Sequence, residues 1–481
     1  MIRDVIILGA GRGLQALAGL VTIRVATHML TPEMMGYVAQ TTSLVWLLSS
    51  TIVTPVTVYV ARGYLGWLDS GVAKMQLMRF LVFVSIAAVA SALLVLIVWS
   101  FVSIIGGISA VTIAVLTLIY LFGASLQSAG IGCLNLLGRR VAYVFFGNIA
   151  VWGGLLFAVG LFHYFTSPQA WLFGVYLGNI AAAIAFFLVM RVAAKSKRNA
   201  ADFLPFTLPV IFMFVWPQAL NAVLWWVQSQ SYRFVLGEVG GPALVGLFAA
   251  GYTVCAGTIQ TFEALFNEIY GPRLYRSFVD HGEGGLANAW NEYASAYLPA
   301  VVLFGTFLMG MSPFLAKVLL ADQYHSIIPI LFLPAITETL RAMGTALHTM
   351  GVAKLDMRII LVPVLVGAIL SPLLVYLLGS IDSLLGTAIG LTLAYLAAFL
   401  VAIPITRRTL PIRWPVRRIF EAALAGLPMI VFGQFVSVTF ESTVMISLEI
   451  LALGVLYMVG AQFVLARPWL GQAVRFDSGN Q

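Results

Sequence analysis

Residues 5–20 read VIILGAGRGLQALAGL, and two folds compete for them. A glycine-rich turn after a short strand would cradle a dinucleotide, whereas an unbroken apolar helix with glycines on its surface would cross a membrane. The dinucleotide fingerprint needs glycine at the first, third and sixth places of the turn. Gly9 and Gly11 supply the first two, but Leu14 stands at the sixth. Glu33 lies near the place of a ribose-binding acid, yet Pro32 precedes it and no second strand leads up to it. The glycines therefore read as helix-packing or helix-bending residues, with Arg12 facing inward.

The remainder of the chain agrees with the helical reading. Of 481 residues, 61% are hydrophobic and 9% charged, against roughly 25% charged in an average soluble domain. Apolar runs long enough to span a bilayer recur throughout, and in lipid such runs must be helices because each backbone amide needs an internal partner. The run from Asp4 to Leu30 is too long for a signal-peptide core and carries Arg12 and Arg24, so it is expected to stay as the first helix. Cys133 and Cys255 both fall inside expected helices and read as buried thiols. No metal or cofactor motif is apparent.

The expected fold is an all-α polytopic membrane protein of about fourteen helices. Twenty-one of the 26 lysines and arginines fall in segments on the side of the N-terminus, and only Lys317 falls on the other. The positive-inside rule then puts both termini in the cytoplasm. This scatter over short segments disfavours nucleic-acid binding despite the net charge of +8. The connections are too short for an extramembrane catalytic domain, so the expected protein is not an enzyme.

The chain also repeats itself. RVATHMLTPEMMGYVA at 24–39 matches RFVLGEVGGPALVGLFAA at 233–250, placing Arg24 on Arg233 and Gly36 on Gly246; RGYLGWLDSG at 62–71 matches RLYRSFVDHG at 273–282. Gly130 and Gly138 fall on Gly344 and Gly351. A duplication of six helices, an even number, gives two lobes related by a pseudo-two-fold axis along the membrane normal, with a site between them near the midplane. The expected divisions are an N-lobe at 1–200, a C-lobe at 201–406, and a C-terminal helix pair with its tail at 407–481.

Four arginines remain within expected helices: Arg12, Arg24, Arg233 and Arg341. A guanidinium at mid-bilayer costs roughly 2.5 to 3.5 kcal/mol on insertion scales, and its planar fork suits phosphate oxygens. In the seventh expected helix, Gln218, Asn221 and Trp225 share one face with Tyr232 and Arg233 while Leu220 and Val223 occupy the other. That face reads either as a polar cavity wall or as a seam that joins helices. Glu338, Arg341, Thr345 and His348 align on the tenth helix, and Thr253, Gln260, Glu263 and Asn267 on the eighth. Glu338 is a local partner for Arg341, and Glu263 or Glu338 is a candidate site for coupling to H+ or Na+.

The stretches TIRVATHMLTPEMMGYVAQTTSLVWLLSS (22–50), SYRFVLGEVGGPALVGLFAAGYTV (231–254) and GPRLYRSFVDHGEGGLANAWNEYA (271–294) resemble the polysaccharide transporter family. These are the oligosaccharide-lipid flippases of the multidrug, oligosaccharidyl-lipid and polysaccharide exporter superfamily. The resemblance implies two lobes forming a V around a cationic cavity. It also implies alternating-access transfer of undecaprenyl-pyrophosphate-linked glycan across the bacterial cytoplasmic (inner) membrane, for surface polysaccharide such as lipopolysaccharide or exopolysaccharide. Arg12, Arg24, Arg233 and Arg341, with Gln218, Asn221, Trp225 and Tyr232, would then line the pyrophosphate and glycan cavity. Membrane lipids and other polysaccharide-assembly proteins are the implied partners. Many members have twelve helices, and a further pair, as here, could hold the polyprenyl tail. The alternatives are a multidrug exporter of the same superfamily and a non-transporting component of a glycan-assembly complex.

Overall fold

The computed structural model of the chain describes residues 2–101, 107–194, 205–354, 358–409, 411–439 and 443–477, and among them every regular element is helical. The first half contains α1 (Ile2–Met29), α2 (Pro32–Leu48), α3 (Thr54–Asp69), α4 (Ala73–Phe101), α5 (Ala110–Leu136), α6 (Arg140–Asn148), α7 (Gly154–Tyr164), α8 (Pro168–Ala182) and α9 (Ile184–Ala193). Then follow α10 (Leu208–Gln230), α11 (Tyr232–Leu319), α12 (Phe332–Lys354), α13 (Arg358–Gly379), α14 (Ser383–Thr409), α15 (Val416–Thr439) and α16 (Val444–Asp477).

Local sequence explains where several of these begin and bend. Thr31 and Ser167 cap α2 and α8, each accepting a backbone N–H at 3.3 Å, and each is followed by proline at the first helical position. Proline costs nothing there because that amide has no helical acceptor. Pro55, by contrast, sits in mid-run, where it lacks an N–H and its ring crowds the carbonyl four residues back. The chain answers with one wider turn, Ser49–Val53, between α2 and α3. Within α11, Gly241 and Gly282 have φ of +80° and +63°. An L-residue helix cannot run straight through that backbone, so α11 comprises three helical stretches joined at these glycines.

Among the described residues eleven helical segments are long and apolar enough to cross a bilayer, or twelve if Asp322–Ile330 and Phe332–Gly351, bent by 65°, make one span. The expected count of fourteen is not what length and apolarity return, and two places carry the difference. α1 is not among these segments. Leu208–Ala264 is a single apolar segment of 57 residues, roughly 85 Å if straight against a hydrocarbon core of about 30 Å, and it turns at Gly241.

By compactness the chain divides into unit 1, Met1–Gly237 with Gly241–Gly246, and unit 2, Glu238–Gly240 with Leu247–Gln481. Duplication and compactness therefore cut the chain at different places: α10, the first helix of the second repeat, packs in unit 1. There the Trp226 indole N–H donates to Ser43 O at 2.7 Å, and the Tyr59 hydroxyl donates to Pro205 O at 2.6 Å. The unit 1 core is aromatic, with Tyr59, Trp67, Phe80 and Phe206 meeting edge to face or tilted. In unit 2, Phe262, Phe304, Tyr293 and Tyr297 stack beside buried Trp290. Cys133 and Cys255 are free and buried, as expected. The faces of α15 and α16 carry exposed Phe420, Val431, Phe435 and Leu456, which suits lipid rather than water as their solvent.

Repeat-related positions meet in unit 1. A Cβ on Gly36 would lie 1.9 Å from Pro242 O, and one on Gly246 would lie 1.8 Å from Pro32 O. Both residues of each contact are 210 apart from their counterparts, so the contact is reciprocal, as a two-fold crossing requires. Gly71 and Gly282, also matched in the repeat, adopt the same left-handed backbone at φ +66° and +63°. The match stops short at Gly130 and Gly344: a Cβ on the first would meet Phe186 N at 2.4 Å, and one on the second meets open space.

Candidate functional site

Two arginines inside the helices, Arg233 in unit 1 and Arg341 in unit 2, are each held by several partners. In unit 1, the α10–α11 junction lies along α2. The polar face expected on α10 is turned to protein, since Gln228, Ser229 and the following Tyr232 are buried while Leu220 and Val223 are exposed. Arg233 reaches α2, donating from Nη1 to Ala39 O at 3.1 Å and to Ser43 Oγ at 2.6 Å, and from Nε to Tyr232 Oη at 3.1 Å. Its guanidinium also lies 5.6 Å from the Tyr232 ring centroid. In return, Gln40 Nε2 donates to the Arg233 carbonyl at 3.0 Å. Among the described residues Arg233 has no carboxylate partner, so its partners orient the charge without cancelling it.

The other unit 1 candidates sit on different supports. Trp225 meets Trp46 edge to face, with centroids 5.3 Å apart. Gln218 donates back to Phe214 O of its own helix at 3.2 Å, and Asn221 keeps a buried Oδ1 without a partner among the described residues. Arg12 is half-buried on α1 and donates to Gln15 Oε1 at 3.3 Å and to Tyr143 Oη of α6 at 3.0 Å. Arg24 is half-buried further along α1. Of the opening glycines, Gly11 lies against Val144 and accepts from Asn148, while Gly9 and Gly13 face open space. Arg12 is thus held from α1 and α6, and Arg233 from α2 and α11.

In unit 2 the tenth-helix pattern holds and gains a third member. Arg341 Nε donates to Glu338 Oε2 at 2.7 Å, one turn away on α12, and Nη2 donates to Glu263 Oε2 on α11. All three side chains are less than 10% exposed. Tyr252 donates to Glu338, and Tyr297 lies 3.1 Å from Glu263 Oε1. With both carboxylates ionised the cluster carries one net negative charge, which a proton or a monovalent cation would cancel; an uncancelled buried charge is costly. Thr253, Gln260 and Asn267, expected on the same face as Glu263, are exposed.

Arg341, Glu338 and Glu263 are each legible in the sequence, and so is the Arg341–Glu338 pair, but the attachment of Glu263 is not, and Tyr252 and Tyr297 are missed. Ser43 and Gln40 are missed too. The only signal for these two was polar side chains within an apolar helix, which has many structural causes.

No family model matches the chain, and no curated protein matches it by sequence. Among solved structures, the lipid II flippase MurJ in an inward closed conformation is similar at a TM-score of 0.71 and 13% identity, over 98% of this chain and 100% of that one. A MATE transporter in complex with MaD3S is similar at 0.54 and 14% identity, over 84% of this chain and 96% of that one. The outward-facing form of a multidrug resistance MATE family transporter of the MOP superfamily is similar at 0.52 and 17%, over 85% of this chain and 94% of that one. The chain has the helical fold that these transporters share.

Proposed function

We propose that the chain is a lipid-linked oligosaccharide flippase of the MOP superfamily. In this reading it moves an undecaprenyl-pyrophosphate-linked glycan across the bacterial cytoplasmic membrane by alternating access, for surface polysaccharide assembly. The observation that carries this reading is the likeness to a lipid II flippase along 98% of the chain, where the MATE structures match 84–85%. A lipid carrier keeps its tail in the bilayer, so the protein need only shelter an anionic head.

Arg12, Arg24 and Arg233 are assigned to the pyrophosphate, and Gln218, Asn221, Trp225 and Tyr232 to the glycan. The Nη2 nitrogen of Arg233 has no hydrogen bond among the described residues, which leaves donors for a bidentate phosphate contact. An anion that also captured Nη1 would release α2 from α11, linking occupancy to the crossing at Gly36 and Gly246. Arg341, held by two carboxylates, is assigned to coupling. Uptake of H+ or Na+ at Glu263 and Glu338 would alternately charge and neutralise that cluster, and only a differential affinity between two conformations can drive the cycle.

The test is transport by the purified protein in liposomes carrying a labelled lipid-linked oligosaccharide, with a cationic dye as the competing cargo. Movement of the lipid-linked sugar, abolished by Arg233→Ala, supports the reading. Dye extrusion without sugar movement would turn it to the drug exporter, and movement of neither would turn it to an assembly component.

A further inference from the structure

A groove of about 920 Å³ runs along one face of α4 in unit 1, near the top of the roughly 300–1,000 Å³ range of small-molecule sites. One wall is a helical stripe, Met75, Met78, Val82 and Ile86, each between 44% and 64% exposed. The opposite wall is Phe206 and Leu208 at the approach to α10. This second wall is fixed in place: Phe206 N–H donates to Gln76 Oε1 at 3.1 Å, and the Tyr59 hydroxyl holds Pro205 O.

Charge is confined to one end. Lys74 and Arg79 lie in the first two turns of α4, both exposed, and neither has a carboxylate partner among the described residues. From Lys74 to Ile86 the helix rises roughly 18 Å, close to the roughly 15 Å depth of one leaflet's hydrocarbon. The apolar stripe thus has the length of an acyl chain, and the basic pair sits at headgroup level.

We propose that this groove binds an anionic phospholipid, with its phosphate between Lys74 and Arg79 and one acyl chain along Met78, Val82 and Ile86. Two cations facing one phosphate leave a positive excess that a second anionic group satisfies and the ammonium of a zwitterionic lipid opposes. The groove is open along its length, so its occupant enters sideways from the leaflet. The expected topology puts this end at the cytoplasmic face, where anionic lipid attracts basic residues.

The test uses the full chain in nanodiscs of equal phosphatidylglycerol and phosphatidylcholine, with retained lipid counted by native mass spectrometry. Phosphatidylglycerol should be retained selectively. The pair Lys74→Gln with Arg79→Gln should weaken retention about thirtyfold, from the loss of two basic side chains near the phosphate. Val82→Trp, which fills the groove and keeps both charges, should also release the lipid, whereas Arg407→Gln with Arg408→Gln, exposed in the last turn of α14, should not. Equal retention of both lipids, an equal effect of the α14 pair, or displacement of phosphatidylglycerol by stoichiometric polyprenyl pyrophosphate would overturn the assignment.

Discussion

Arg233 and Arg341 meet the same problem, a guanidinium among apolar helices, and solve it in opposite ways. Arg233 is held by a backbone carbonyl, a serine and a tyrosine, all neutral, so its charge survives. Arg341 is held by two glutamates, which with both ionised more than cancel its charge. On the proposed reading, unit 1 thereby keeps a cation for an anionic cargo, while unit 2, with both glutamates ionised, keeps an excess anion for a small cation. The sign of the partners, and not the arginine itself, decides which ligand each unit can serve.

The largest test of this contrast is Arg341→Met. Removing the guanidinium leaves Glu263 and Glu338 buried together, and breaking a buried pair costs about 3–5 kcal/mol. Thermal unfolding of the purified variant should show a large loss of stability, and adding Glu338→Gln to Arg341→Met should restore part of it. If Arg341→Met melts like the parent, the two carboxylates do not depend on the arginine and the contrast fails.

Arg233→Ala should cost less, about 1.5–3 kcal/mol for hydrogen bonds from a charged donor, because its neutral partners are left without a stranded charge. Transport should nevertheless be lost, and Arg233→Lys should restore stability more than transport, since an ammonium cannot reproduce the fork. The variant's insertion level, read beside lipid-linked sugar movement in liposomes, separates the two effects. Gly36→Ala attacks the same joint from α2. Its methyl would fall 1.9 Å from Pro242 O, and overpacking of this kind costs about 1–3 kcal/mol. Gly246→Ala should cost a similar amount, and the double variant less than the sum, because one displacement relieves both clashes. Additive losses in the unfolding midpoints would mean the two contacts are independent.

How much of this was legible in the sequence follows from which distances the chain itself fixes. Helical rise and repeat set Glu338 one turn from Arg341, so that pair was readable. The repeat set Gly36 against Gly246 and Gly71 against Gly282, and these pairs share a crossing and a left-handed backbone respectively. The attachment of Glu263 to Arg341, 78 residues away, and of Arg233 to Ser43, 190 residues away, depends on which helices pack together, and periodicity within a helix carries no information on that. The polar face of α10 was legible as a face, but not that α2 would cover it. The expected fourteen spans and the eleven or twelve found among the described residues differ at two places, α1 and the 57-residue apolar run that turns at Gly241.

The smallest structural effect, and the sharpest functional one, belongs to Glu338→Gln. The substitution keeps the shape and leaves one carboxylate for one guanidinium, so the cluster becomes neutral. The amide oxygen can still accept from Arg341 Nε while the amide N–H donates to the Tyr252 hydroxyl, and stability should shift by no more than about 1 kcal/mol. A neutral cluster no longer needs a proton or monovalent cation to balance it. Transport by Glu338→Gln should therefore become insensitive to collapse of the proton and sodium gradients, with Glu263→Gln behaving alike. The rate in liposomes with and without each gradient reads this out, and a variant that keeps its gradient dependence would place the coupling charge elsewhere than beside Arg341.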